Sequence, residues 1–201
     1  MYSSILSLTG ENVLAFLLHN LEGKYSIREV SKEAKQGYPI VFHTVKALQK
    51  VQLVKAARVS NINQCTPNVI REHTALFGFV SERFAAKNVP KRVWNALQDV
   101  VKEIENPFYS LLLFGSYAKG IARPTSDVDV LFIIAERSQE AEITAAVKKS
   151  AALNNLKINP VILALDEFKN GLKEESVARE AYKKHFIIKG GELFYSVISR
   201  A

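Results

Sequence analysis

Asp127 and Asp129 stand one residue apart at the head of an apolar run, "DVDVLFII", that ends at Ile134. If the run is a strand, both carboxylates project to the same side, with Cα atoms roughly 6.5–7 Å apart. Val128 and Val130 then point the other way, into a core. Two converging carboxylates make a poor neutral pair but a good Mg²⁺ or Mn²⁺ site, with phosphate oxygens completing the shell. On its own, Asp-x-Asp is also common in turns and helix caps. Burying carboxylates beside Val, Leu, Phe and Ile is costly unless something compensates their charge. The rest of the chain has to supply that compensation.

Just upstream, "YSLLLF" is short, apolar and rich in large side chains, and Gly115 stops it. This reads as a buried strand, then a Gly-Ser turn, then a short helix from about Tyr117 to Ile121. Glycine lets backbone N–H groups approach a ligand closely, and a helix start presents unpaired N–H donors to phosphate. Ser116 adds a hydroxyl to that cradle, and Lys119 adds positive charge. A Gly-Ser turn alone is weak evidence. Arg123, Pro124, Thr125 and Ser126 form the loop that delivers the chain to the second strand.

The joint spacing is more specific: Gly115-Ser116, ten intervening residues, then Asp127-Val128-Asp129, with apolar strands before and after. About residues 90 to 165 resemble the DNA polymerase β-like nucleotidyltransferase superfamily, and most closely its small "minimal" members. The resemblance implies that Gly115 and Ser116 hold the β- and γ-phosphates of a nucleoside triphosphate. Asp127 and Asp129 would be the catalytic, metal-binding pair, holding two Mg²⁺ or Mn²⁺ ions that steady the attacking and leaving oxygens. The reaction implied is transfer of a nucleoside monophosphate to a hydroxyl on a protein, nucleic acid or small molecule. Minimal members are often paired with small helical toxins, so a toxin-like or other protein partner is part of the expectation.

One position departs from the family. A third acidic residue is usual on a following strand, but "LKINPVILAL" offers Asn159 there. An amide lends a carbonyl oxygen but has no charge and cannot act as a general base. Pro160 pushes Asn159 towards an extended conformation and marks an edge-like strand. Asp166 and Glu167 lie about seven residues on, roughly 23 Å along an extended strand, and read as the start of the next helix with Asp166 capping it. Two outcomes stay open: an active transferase, or a DNA-binding regulator or antitoxin-like protein whose nucleotidyltransferase domain is catalytically impaired.

The elements around this stretch set the frame. The chain has 201 residues, 48% hydrophobic, with a net charge of +7 that favours a polyanionic partner. No apolar run approaches the roughly 20 residues needed to span a bilayer. Cys65 stands alone, so no intrachain disulfide forms and a cytoplasmic protein is the simplest reading. Residues 1 to 70 carry eight basic against four acidic side chains, a local balance of +4.

In that region "ENVLAFLLHNLEG", "YSIREVSKEAKQG" and "YPIVFHTVKALQK" read as three helices, the second opened by a Ser26/Glu29 capping box. "QLVKAARVSNINQCTPN" reads as two strands around a Ser60-Asn61 turn. Residues 8 to 68 resemble the winged helix-turn-helix domains of prokaryotic DNA-binding regulators. That geometry puts the third helix in the major groove. With Val41, Val45 and Leu48 inward, His43, Lys46 and Lys50 face outward, and Lys55, Arg58 and Asn61 lie on or near the wing. A winged helix used for protein–protein contact or homodimerisation is the competing reading.

Two more amphipathic helices follow between about 68 and 105, with His73 as a hydrogen-bonded core histidine and Trp94 as a core anchor. Downstream, Lys183, Lys184 and His185 read as a solvated helix end, with contact to substrate or nucleic acid as the alternative, and "FIIKGGELFY" as a short hairpin or strand-turn. The expected fold is α+β: a winged helix-turn-helix at 1–68, a helical connector at 69–89, and a nucleotidyltransferase-like α/β domain with a small mixed sheet at 90–201.

Overall fold

Ser7 opens the first helix, its hydroxyl accepting a hydrogen bond from Gly10 N–H at 3.1 Å. The computed structural model describes residues 6–59 and 62–200. Helix α1, Leu8–His19, buries Val13, Leu14, Leu17 and Leu18. A two-residue strand, β1 (Tyr25–Ser26), leads directly into α2 (Ile27–Glu33). The capping box is present: Ser26 N–H donates to Glu29 Oε2 at 2.7 Å, and Glu29 N–H donates to Ser26 Oγ at 3.2 Å. Helix α3, Tyr38–Lys50, carries Pro39 in its first turn and buries Val41, Val45 and Leu48, as their spacing requires. Strands β2 (Val54–Val59) and β3 (Ile62–Pro67) pair antiparallel, and β1 joins the other edge of β3, giving the order β1-β3-β2. The Ser60-Asn61 turn lies outside the described residues.

The stretch read as a connector contains α4, Thr74–Asn88, and the next helix is α5, Lys91–Glu103. Among the described residues, five further helices and four strands follow: β4 (Tyr109–Leu113), α6 (Gly115–Lys119), β5 (Val128–Ile134), α7 (Glu140–Asn154), β6 (Ile158–Ala164), α8 (Leu165–Gly171), α9 (Val177–Lys183), β7 (Phe186–Lys189) and α10 (Gly191–Ile198). The four strands form one mixed sheet in the order β6-β5-β4-β7, with β5 and β6 parallel and β4 antiparallel to both neighbours.

Both faces of the central strands are buried. Leu111, Leu113, Val130 and Phe132 face a core built with α5 and α7, through Leu97, Val100, Ile143 and Val147. Leu112, Leu131 and Ile133 face the other core, which runs continuously through Phe77 and Phe194 to Leu14, Leu17 and Val45 of the first three helices. Helix α4 therefore packs on the sheet side as well as on α1. The N-terminal unit and one face of the sheet share a single apolar cluster.

The structure changes several local readings. Helix α6 begins at Gly115 rather than Tyr117. Trp94 is half-buried at the rim, because Val93, Ala96, Leu97 and Val100 form the inward stripe of α5. "FIIKGGELFY" is a strand followed by a helix, since Phe194, Tyr195 and Val197 bury at helical spacing against α4. The N–H of Ala164 at the head of α8 is met by Glu167 Oε2 at 2.9 Å, a role the sequence reading gave to Asp166.

Helices α4 and α10 cross at glycines. A Cβ on Gly78 would fall 2.4 Å from Glu192 N, and one on Gly191 would fall 2.6 Å from Gly78 Cα. Backbone cannot yield as a side-chain tip can, so Gly78→Ala is expected to cost roughly 1–3 kcal/mol, the usual range for overpacking. Urea unfolding measures this, and an unchanged midpoint would contradict the close crossing.

Candidate functional site

The end of β4 and the start of β5 are tied together before any ligand is considered. Phe114 N–H donates to Asp129 O at 3.0 Å, which brings the following Gly-Ser turn beside the carboxylate. Gly115 has φ of +65°, a conformation in which a side chain is strained. A Cβ there would also sit 2.5 Å from Asp129 Oδ2. Glycine is thus required twice over, by backbone conformation and by contact with the carboxylate. Ser116 follows in the first turn of α6, which closes at Gly120, φ +74°. The loop to β5 is held by a reciprocal pair: Ser126 N–H donates to Arg123 O, and Arg123 N–H donates to Ser126 Oγ, both at 2.9 Å.

Val128 and Val130 are fully buried while Asp127 and Asp129 remain partly exposed, so the strand's alternation turns both carboxylates to one side. Parallel pairing sets Asn159 of β6 opposite Asp129. Its Nδ2 lies 3.2 Å from Asp127 Oδ2 and 3.1 Å from Asp129 Oδ1, so one amide spans both acids. The residue expected at the third position is therefore in contact with the pair. Lys157, two residues earlier, reaches Asp127 Oδ2 with Nζ at 2.6 Å.

Sequence reasoning missed Lys157. The available signal was the same i, i+2 alternation that groups Asp127 with Asp129, because it groups Lys157 with Asn159. The hydrogen bond from Lys157, followed by that from Asn159, holds the Asp127 carboxyl below its ordinary range, and Asp127 in turn raises the Lys157 ammonium. Asp127 thus stays ionised through the range in which proteins work.

The donors fit a hard divalent cation: two carboxylates and an amide that offers its carbonyl oxygen on turning over. Among the described residues, no three His, Cys, Asp or Glu side chains cluster anywhere. The protein's anionic contribution here stops at Asp127 and Asp129.

The other residues singled out from the sequence lie elsewhere. Lys119 Nζ pairs with Glu180 Oε1 of α9 at 2.7 Å. His43, Lys46 and Lys50 are exposed along α3, and Lys55 and Arg58 are exposed on β2. Lys46 Nζ lies over the Phe42 ring, 5.8 Å from its centroid. His73 is buried, with Nδ1 3.1 Å from Asn68 O. Lys183 pairs with Glu175 at 3.3 Å, whereas His185, read as part of a solvated end, is buried because its ring sits against Phe194.

Residues 94–191 match the family model described as "Nucleotidyltransferase domain". That region of the chain is similar to nucleotidyltransferase domains. No curated protein matches the chain. Among solved structures, one titled "Crystal structure of the toxin-antitoxin with AMP-PNP" is similar at 14% identity, covering 53% of this chain and 81% of that one, with a TM-score of 0.40.

A separate cleft of about 580 Å³ opens between α1, α4 and α6. His19 of α1 is on its wall, with Nδ1 2.5 Å from His185 O and Nε2 3.2 Å from Ala118 O at the far end of α6. A neutral imidazole has one N–H, and the shorter contact assigns it to Nδ1. Burial, with the Lys184 charge nearby, pushes His19 down to about 4, and burial pushes His185 down to about 3. Both rings are neutral in the fold, whereas unfolded histidine protonates near 6.5.

Between those values the unfolded chain binds more protons than the folded one. Stability is therefore complete above pH 6.5 and falls as pH drops towards 4, by up to about 1.4 kcal/mol per pH unit for each histidine. Urea unfolding at pH 7.5, 6 and 5 is expected to show this decline and a shallower one in His19→Gln. Equal unfolding free energies at pH 7.5 and 5 would contradict the assignment.

Proposed function

We propose that this protein binds a nucleoside triphosphate with Mg²⁺ or Mn²⁺ at Gly115, Ser116, Asp127 and Asp129, and transfers a nucleoside monophosphate to a hydroxyl acceptor. The observation that carries this reading is the convergence of Asp127 and Asp129 on Asn159 beside the Gly115 backbone. In the reaction the acceptor oxygen bonds to the α-phosphorus, the bond from that phosphorus to the bridging oxygen breaks, and pyrophosphate leaves. The Gly115-Ser116 turn presents backbone N–H groups and a hydroxyl to phosphate oxygens. Asp127 and Asp129 are the cation's ligands. When bound, the cation supplies charge stabilisation to the phosphate oxygens. Lys119, set against Glu180, belongs to the surrounding positive field.

Asn159 favours a second reading of the same site. It accepts no proton, so the acceptor hydroxyl must lose its proton to another base or to solvent. A chain with this site that binds nucleotide but turns over poorly would serve as a nucleotide-responsive regulator.

The N-terminal unit bears on that role. Its element order α1-β1-α2-α3-β2-β3 and its strand order β1-β3-β2 support a winged helix-turn-helix over about 1–68. Helix α3 would then present His43, Lys46 and Lys50 to a DNA groove, with Lys55 and Arg58 along the backbone. Tyr38 and Phe42 stack at the start of that helix, adding a flat face beside the charges.

Incubation with labelled NTPs, Mn²⁺ and hydroxyl acceptors tests the main reading. Transfer is expected, falling at least a hundredfold in Asp129→Ala; undiminished transfer in that variant would end it. Nucleotide binding without transfer by the wild type selects the second reading.

DNA binding is expected to weaken with salt. Lys46→Ala with Lys50→Ala should flatten the slope of log K against log salt by about 0.9 for each phosphate that is no longer neutralised. Binding indifferent to salt and to both lysines would exclude the DNA role.

A further inference from the structure

We infer that the site takes a single divalent cation, and that the Lys157 ammonium stands in for the second ion of a three-carboxylate, two-cation site. This rests on the nucleotide-binding reading above and adds its ion requirement.

Charge is the first argument. Relative to three carboxylates, Asn159 removes one negative charge and Lys157 adds one positive charge. Together those changes contribute two positive units, the charge of one divalent ion. One ion with two carboxylates and Lys157 carries a total of +1. Two ions with three carboxylates carry +1 as well. A triphosphate therefore meets the same net charge in either arrangement.

Geometry is the second. Lys157 and Asn159 alternate to the same side of β6 as the acids they face on β5. Their N–H groups converge on a single oxygen, Asp127 Oδ2, at 2.6 and 3.2 Å. Asp129 Oδ1 receives only the amide, at 3.1 Å, and its Oδ2 faces Gly115. The pair is therefore unequal: Asp127 is already countered by a fixed charge, and Asp129 is the more open ligand. A second divalent ion at Asp127 would have to sit against an ammonium of like sign. No further acid among the described residues clusters there to offset it.

Exposure is the third. The Lys157 side chain is 72% exposed, so its ion pair with Asp127 adds little to fold stability. In the resting site it is a positioning residue that meets Asp127 Oδ2 beside the Asn159 amide.

Mn²⁺ titration of the full chain by electron paramagnetic resonance tests this, with non-hydrolysable ATP and GTP analogues supplied in turn. Calorimetry measures the affinity for each analogue separately. Wild type is expected to take one Mn²⁺ per nucleotide-bound chain. Lys157→Met with Asn159→Asp, which restores three carboxylates and removes the ammonium, is expected to take two.

Lys157→Met alone should still take one, roughly thirtyfold more tightly at low salt, the effect of removing one unit charge about 4 Å from a divalent ion in water. Lys157→Arg should restore wild-type affinity. Two ions in the wild type, one in the double variant, or an unchanged Mn²⁺ affinity in Lys157→Met would each overturn the inference. Nucleotide binding accompanied by two ions removes only this inference. Failure of wild type to bind either analogue removes the proposed function with it.

Discussion

The strand that neighbours a pair of carboxylates at the mouth of a buried strand orients them by setting donors against them. Here β6 does so through Lys157 and Asn159, and parallel pairing fixes which residue meets which. A slip of one residue would swing both donors to the opposite face and leave both acids without partners. The pairing of these strands is therefore also the assembly of the site. Apolar packing holds the strand in place: Val130, Leu131, Phe132, Ile133 and Ile134 are fully buried between the two cores.

Burial on both faces explains why chemistry is confined to the strand end. A strand read by two cores has no solvent side along its length, and polar residues survive only where the sheet gives out. Asp127 and Asp129 occupy that margin, beside the turn that leaves β4. The same two-sided burial brings the N-terminal helices into contact with the sheet. Leu112, Leu131 and Ile133 belong to one cluster with Phe77 of α4 and Val13, Leu14 and Leu17 of α1. Helix α4 is thus a shared wall rather than a spacer.

The first five helices and the acid pair were legible because each rests on local periodicity or spacing. Val41, Val45 and Leu48 define a helical stripe, and Ser26 with Glu29 defines a start, with no reference to the rest of the chain. Asn159 was legible because Pro160 and the apolar run place it at a strand opening, and the family pattern supplies its partner. Lys157 was not. A lysine before a strand reads as solvated, and only the register between β5 and β6 shows that it reaches Asp127. His19 and His185 were hidden for a related reason. They meet across 166 positions in sequence, where α1 packs against the start of β7, and no local pattern reports so distant a contact. The strand-then-helix ending was misread because Gly190-Gly191 resembles a hairpin turn. In the fold, Gly190 instead lets the chain pass close to Tyr109 O, and Gly191 lets α10 meet α4.

Helix α6 connects these observations physically. It has five residues, about 7.5 Å of rise. At its head Gly115 lies against Asp129, and near its end the Ala118 carbonyl faces His19 of α1. Left-handed glycines at 115 and 120 bound it at both ends. One contact between the neighbourhood of the acid pair and the N-terminal helices therefore runs through this short helix and His19. Asp129 is fixed by the same backbone hydrogen bond that places the turn, Phe114 N–H to Asp129 O. The bond that places the turn therefore also places the acid, and at the other end of α6 the Ala118 carbonyl is where that helix meets α1.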